Sequence, residues 1–201
     1  MVASSTFSKY MLELRGAFIA EESYWIGFRQ IYAPGCNLHR TPYSGRNFEY
    51  YSEDPLLAGR VAAGYIRGIQ SQGVGTSIKH FAANNQELNR LSNNAIVSER
   101  ALREIYLKNF EIAVRESQPW TIMTSYNFIN GEHAAESKRL LTDILRDEWG
   151  FDGYVVSDWG AVNDRVEGVK AGLDLEMPAS YGVNDALIVK AVREGRLDEA
   201  V

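Results

Sequence analysis

Cysteine is almost missing from this chain: Cys36 is the only one among 201 residues. A single thiol excludes an internal disulfide framework and disfavours a cysteine-based zinc site, and it fits a reducing compartment. Histidine is nearly as scarce, and His39, His80 and His133 form no i, i+4 pair of the kind that holds zinc. The net charge of −5, with no basic run, argues against nucleic acid as a partner. No uninterrupted apolar stretch approaches membrane-spanning length, and the opening Met1-Val2-Ala3-Ser4-Ser5 has neither the basic start nor the apolar core of a secretory leader. Two phosphate-binding signatures are absent as well. Gly73-Val74-Gly75 precedes a strand instead of following one, no Gly-x-Gly-x-x-Gly occurs, and no Gly-Lys-Ser/Thr occurs. The expectation is an acidic cytoplasmic chain, free of metal and cofactor, that binds neither nucleic acid nor membrane.

What is present is a regular alternation of helix and strand. Apolar content is 45%, enough for a sizeable core. Residues 8–25 carry Met11, Leu14, Phe18, Ile19 and Trp25 near helical spacing, and Gly27 ends the run. A short strand over 30–33 stops at Pro34-Gly35. The stretch 36–53 has no periodicity. Asp54-Pro55 then opens a helix with buried face Leu57, Val61, Tyr65 and Ile69, and Gly73 is a natural C-cap. A strand over 76–81 and a polar loop over 84–94 follow. Ser98 caps a helix facing inward through Leu102, Ile105, Tyr106, Phe110, Ala113 and Val114, which Pro119 stops. Next come a strand over 120–125, a loop, and a helix capped by Ser137 that bears Leu140, Leu141, Ile144 and Leu145. The strand 154–157, a short helix around 165–169, a strand over 173–177 and a helix over 185–193 complete the pattern. Connections of this length between strands imply βαβ crossovers and a parallel sheet.

The chain is organised around Gly153-Tyr154-Val155-Val156-Ser157-Asp158-Trp159-Gly160, a buried strand that delivers a carboxylate at its C-terminal end. Such strand ends point into the ligand crevice of parallel α/β proteins, although an Asp there also commonly caps the next helix. Polar residues collect after the other strands too: Asn37, His39 and Arg40; Lys79 and His80; Tyr126 and Asn127; Glu176. Several strands feeding one polar face is the layout of a (β/α)8 barrel. Each candidate has a plainer reading. Lys79 and His80 are neighbours, so regular pleating sends them to opposite faces unless the strand bends. Arg46 either clamps hydroxyls through its fork of donors or pairs with Glu49 or Asp54. Tyr126 donates to a substrate oxygen or is an ordinary half-buried aromatic, and Trp159 stacks on a sugar face or fills the core. The set, without metal-ligand spacing, suits a neutral polyhydroxylated ligand, with a carboxylate as nucleophile.

Four runs carry a resemblance. Pro34-Gly35-Cys36-Asn37-Leu38-His39-Arg40 with Gly45-Arg46-Asn47-Phe48-Glu49-Tyr50-Tyr51-Ser52-Glu53-Asp54-Pro55 is similar to the signature of glycoside hydrolase family 3. Gly73 through Phe81 resembles a second signature, Thr124-Ser125-Tyr126-Asn127 a third, and Val156-Ser157-Asp158-Trp159-Gly160 the nucleophile motif. Their order and spacing resemble the β-glucosidase branch. The resemblance implies a retaining mechanism with Asp158 as nucleophile. It further implies that Arg46, Lys79 and His80 together hold sugar hydroxyls, that Tyr126 lies beside the nucleophile, and that Trp159 flanks the leaving-group side. The substrate implied is a β-glucoside or oligosaccharide that yields terminal β-D-glucose.

The resemblance also sets expectations about extent. Members that cleave N-acetylglucosamine tend to carry Pro-Gly-His-Gly after the Lys-His-Phe run, with an acid/base His nearby. Here Phe81 is followed by Ala82-Ala83-Asn84-Asn85-Gln86-Glu87. The β-glucosidase branch instead takes its acid/base Glu from an α/β domain after the barrel, expected beyond Val201. A first barrel strand, whose loop holds a substrate-binding Asp, is expected before Met1, and barrel closure after Val201. Residues 1–201 then form an incomplete (β/α)8 barrel of a larger enzyme, its own N- and C-terminal portions being its partners, and alone it is inactive or severely impaired. Two rivals stand beside this reading: a sugar-binding remnant without catalysis, and a lyase or aldolase forming a Schiff base on Lys79.

Overall fold

In the computed structural model, which describes residues 2–201, seven strands and a set of helices alternate along the chain. The strands are β1 (Gln30–Ile31), β2 (Gly75–Phe81), β3 (Asn94–Ala95), β4 (Thr121–Thr124), β5 (Phe128–Ile129), β6 (Glu132–His133) and β7 (Tyr154–Val156). Four of them form one sheet in the order β1-β2-β4-β7, parallel throughout. Neighbours in the sheet are therefore successive barrel strands, with helical crossovers between them. This is an open arc of a (β/α)8-type barrel, as the sequence pattern predicts. The expected strand over 173–177 is reduced to one parallel bridge, Val156 to Leu175, that prolongs the arc past β7. The small sheet β3-β5-β6 was not anticipated: a hairpin turning at Asn130-Gly131, both with positive φ, stands where an irregular loop was expected.

Asp54 and Ser98 cap helices as the sequence predicts, and Ser8 is a cap that the periodicity alone does not name. Ser8 accepts from Met11 N at 3.3 Å to start α1 (Lys9–Trp25), and Asp54 accepts from Leu57 N at 2.8 Å to start α2 (Pro55–Gln70). Ser98 caps a turn (Glu99–Ala101) that widens into a π-helical stretch (Leu102–Tyr106) and continues as α3 (Lys108–Ser117). Arg139–Glu148 is likewise a wide helix, and α4 (Arg165–Ala171) and α5 (Val183–Arg193) follow. Gly73 lies in the turn beyond α2 and not at its cap, which is Ser71.

The main core lies between the sheet and its helices: Ile66, Ile78, Phe81, Phe110, Ile122, Leu141, Ile144 and Val155 are all buried. Their burial, at roughly 25 cal/mol per Å² of apolar surface, is the dominant stabilising contribution. Two expectations fail here. Ile105, in the π-helical turn, is 37% exposed and so is not a core position. In α1 the apolar row Met11, Leu14, Phe18 and Trp25 faces outward, and the buried positions are Leu12, Gly16 and Ala20. Close approach of α1 to α2 decides this. A Cβ on Gly16 would lie 2.5 Å from Tyr65 O and one on Gly64 2.5 Å from Lys9 O, while on Gly68 it would press still harder on Glu13 O. Small residues, not large ones, make that seam. Gly68→Ala should therefore lower stability by about 3 kcal/mol, the upper end of the usual overpacking cost. A urea titration checks it, and an unchanged midpoint would contradict the close seam.

Candidate active site

The C-terminal ends of the four parallel strands bring one cluster together. Asp158 follows β7 and is buried. It caps no helix; Asp164 does that for α4, accepting from Val166 N at 2.9 Å and Glu167 N at 3.1 Å. One carboxylate oxygen of Asp158, Oδ1, accepts from Trp159 N at 2.7 Å. The other, Oδ2, is shut off from solvent and has no hydrogen-bond partner among the described residues, with His80 Nε2 3.6 Å away. One oxygen is held while the other is left uncommitted.

Lys79 and His80 both reach this cluster, against the rule of regular pleating. The register between β2 and β4 shifts between Ile78 and Phe81, and the Lys79–His80 and Phe81–Ala82 peptides are cis. Asn37 grips the irregular segment, donating Nδ2 to His80 O at 2.9 Å and accepting from His80 N at 2.8 Å. Lys79 Nζ lies 3.3 Å from Glu49 Oε2, and Arg46 Nε donates to Glu49 Oε1 at 2.5 Å. Of the two readings of Arg46, pairing with Glu49 is what the structure has. That pair is part of the cluster all the same, because Arg46 and Lys79 both act electrostatically on His80.

Tyr126, after β4, donates its hydroxyl to Trp159 O at 2.9 Å. Burial, and then the neighbouring Asp158 charge, raise its pKa, so the proton stays on the oxygen. Trp159 is 41% exposed and sits edge-on to Tyr32 at 5.1 Å between centroids. It is not a core residue, and its indole is partly open to solvent.

The structure adds three residues to the set. Arg90 lies over the Tyr126 ring at 4.6 Å and pairs with Glu87 at 3.0 Å. Tyr50 Oη is 3.2 Å from His80 Nδ1, and Asn84 Nδ2 donates to that hydroxyl at 3.4 Å. The one sequence signal for Arg90 is its being the sole cation in the loop 84–94, and the one for Tyr50 is its place directly after the Gly-Arg-Asn-Phe-Glu run. Glu176 is directed elsewhere, towards Arg165 at 3.8 Å and Asn184. No group of three or more His, Cys, Asp or Glu residues arranged for a metal occurs among the described residues. No helix among them is long and apolar enough to cross a membrane.

His80 is neutral at neutral pH. Burial is the first cause, and the cations Arg46, Lys79 and Arg90 add to it, so its pKa lies well below the ordinary 6.5. The unfolded chain takes up a proton near 6.5 that the folded chain refuses, so unfolding becomes easier as pH falls through that value. From this group alone stability should drop by up to about 1.4 kcal/mol per pH unit below 6.5. Urea midpoints at pH 7.5 and 5.5 test this, and a higher midpoint at 5.5 would contradict a neutral His80.

A family model described as Glycosyl hydrolase family 3 N terminal domain matches residues 1–201. The chain belongs to glycosyl hydrolase family 3. Within this family it is 52% identical over 196 residues to thermostable beta-glucosidase B of Acetivibrio thermocellus, covering 98% of this chain and 26% of that protein. It is 55% identical over 197 residues to exo-alpha-(1->6)-L-arabinopyranosidase of Bifidobacterium breve, with coverage of 98% and 26%. Among solved structures, beta-glucosidase 3B from Thermotoga neapolitana in complex with alpha-D-glucose superposes with a TM-score of 0.96 at 48% identity, covering 98% of this chain and 29% of that one. The family 3 chain thus spans about a quarter of the length of the curated relatives it matches.

Proposed function

We propose that this chain forms the sugar-holding and nucleophile-bearing part of a retaining glycosidase that releases terminal β-D-glucose. The observation that carries this reading is the asymmetry of Asp158: Oδ1 is fixed by Trp159 N, while Oδ2 is buried without a hydrogen-bond partner, 3.6 Å from His80 Nε2. A nucleophile needs one oxygen free for in-line attack and the carboxylate plane held still. In the first step Oδ2 attacks the anomeric carbon, the glycosidic bond breaks, and its electron pair leaves with the aglycone oxygen, which takes a proton from a general acid. In the second, water attacks the glycosyl ester, gives a proton to the same group acting as base, and frees Asp158. Arg46, Lys79 and neutral His80 hold the sugar hydroxyls; Tyr126 steadies the nucleophile; Trp159 flanks the leaving group.

The general acid is assigned to a Glu outside these residues. The carboxylates bordering the cluster are engaged, Glu49 by Arg46 and Lys79, Glu87 by Arg90 and Asn84. The same ion pair speaks against a Schiff base on Lys79, since a lysine serving that purpose lies free in an apolar pocket or beside another cation. The names of the relatives leave two glycones to compare, β-D-glucopyranose and α-L-arabinopyranose.

The test uses the complete enzyme that contains this chain, with the 4-nitrophenyl glycosides of both sugars and NMR of the first-formed product. Faster release of β-D-glucose with retained configuration is expected. Arg46→Ala, Lys79→Ala or His80→Ala should each cost about 2–4 kcal/mol in kcat/KM, the scale of a charge-assisted contact that strengthens in the transition state. Inverted product, or full activity in Lys79→Ala, would overturn the reading.

A further inference from the structure

His80 touches Asp158 on one side and Tyr50 on the other, and it is the second contact that has a consequence for chemistry. Tyr50, His80 and Asn84 are all fully or almost fully buried. No bulk water can satisfy a polar atom there, so each proton has to be accounted for within the cluster.

Glu87 fixes the first proton. As a carboxylate it only accepts, and its Oε1 is 3.2 Å from Asn84 Nδ2 while its Oε2 is paired with Arg90. That fixes which end of the Asn84 amide is the NH2 group. The same Nδ2 donates its other proton to Tyr50 Oη at 3.4 Å. The hydroxyl is therefore an acceptor from Asn84, and its own proton is left for the remaining neighbour, His80 Nδ1, at 3.2 Å. Burial pushes the Tyr50 pKa far up, so the hydroxyl keeps that proton to donate. Nδ1 must then be the acceptor nitrogen of a neutral imidazole, which puts the ring proton on Nε2.

We propose that Tyr50 is a positioning residue that fixes His80 in the Nε2–H tautomer, so that the imidazole presents a neutral N–H donor beside Asp158 Oδ2. At 3.6 Å the Nε2–Oδ2 separation is too long for a hydrogen bond between the two groups. The N–H is thus left to donate to an oxygen that comes within reach of Nε2 beside Oδ2, the gap between the two atoms being too narrow to hold one, and a sugar hydroxyl is the group of that chemistry. The opposite tautomer would aim a lone pair at the same place, and two acceptors would then face each other across the ligand site. Asn37 completes the device by holding both the N–H and the C=O of His80, which fixes the backbone from which the ring projects.

The tautomer part stands on the cluster alone, and the kinetic part rests on the glycosidase reading. The full chain, labelled with ring-15N histidine, is examined by NMR before and after Tyr50→Phe, a change that removes one oxygen and keeps the ring. In the unsubstituted chain His80 should show a protonated Nε2 and a bare Nδ1, with the Tyr50 hydroxyl proton coupled across the hydrogen bond to Nδ1. In Tyr50→Phe that coupling is lost and the ring shifts to a mixture of tautomers. In the complete enzyme the variant should lose about tenfold in kcat/KM, the scale of one hydrogen bond. A proton on Nδ1 in the unsubstituted chain would overturn the proposal, and so would an unchanged Nε2–H tautomer in Tyr50→Phe. Should the variant fail to fold, the hydroxyl coupling in the unsubstituted chain decides. Should no glycoside be cleaved, the glycosidase reading falls while the spectra still decide the role of Tyr50.

Discussion

Asp158→Asn should cost the complete enzyme about 10⁴-fold or more in kcat on an activated β-glucoside, the scale of losing a covalent nucleophile. The change is close to isosteric. The amide oxygen can keep the bond from Trp159 N made now by Oδ1 at 2.7 Å, and an NH2 takes the place of Oδ2. Nothing in the packing demands unfolding, so the loss is chemical: an amide does not attack the anomeric carbon. Asp158→Gly separates the roles further. Cutting the side chain opens the face from which Oδ2 attacked, and added azide should occupy it and yield the α-glucosyl azide. Retention of activity in Asp158→Asn, or azide with no effect on Asp158→Gly, would place the nucleophile elsewhere.

The second large effect is expected of the polypeptide Met1–Val201 purified by itself. Its sheet is an open arc with β1 at one edge, and Phe18, Trp25, Ile26 and Phe28 are exposed. Unpaired edges and uncovered apolar surface favour association and marginal stability. If the general acid lies outside these residues, leaving groups that need a proton lose a contribution of about 10²–10⁴-fold. Cellobiose should be inert. A dinitrophenyl β-glucoside, whose leaving group departs without a proton, should still glycosylate Asp158, and azide should release the β-glucosyl azide because it needs no base. Assaying both substrates side by side checks this. Brisk cellobiose hydrolysis by the monomeric polypeptide would mean that an acid/base lies within it.

Much of the fold was legible because caps and strand ends are local. Asp54 and Ser98 start helices through a side-chain oxygen that accepts from a nearby N–H, and no distant residue alters that. The outward face of α1 was not legible, since it depends on which helix comes to lie against it. Periodicity showed an apolar row, but the seam through Gly16, Gly64 and Gly68 set the rotation. The hairpin β5-β6 was missed because strands of two residues have no period to read.

The site divides in the same way. Asp158 announced itself by its place at a strand end. Lys79 and His80 were separable by local rules only as opposites, and it takes the register shift between Ile78 and Phe81, with the Asn37 clamp, to bring both into one cluster. Tyr50 and Arg90 matter through partners distant in sequence, His80 and Tyr126, and no window of sequence shows such pairs.

Trapping the glycosyl ester tests most directly whether Asp158 is the nucleophile of a retaining glycosidase. The complete enzyme is incubated with 2,4-dinitrophenyl 2-deoxy-2-fluoro-β-D-glucoside, digested at low pH, and its peptides are weighed by tandem mass spectrometry. The fluorine slows the second step, so the ester accumulates. One labelled peptide is expected, carrying the fluoroglucosyl group on Asp158. Label on Glu49, Glu87, Glu176 or any other carboxylate, with Asp158 unmodified, would contradict it.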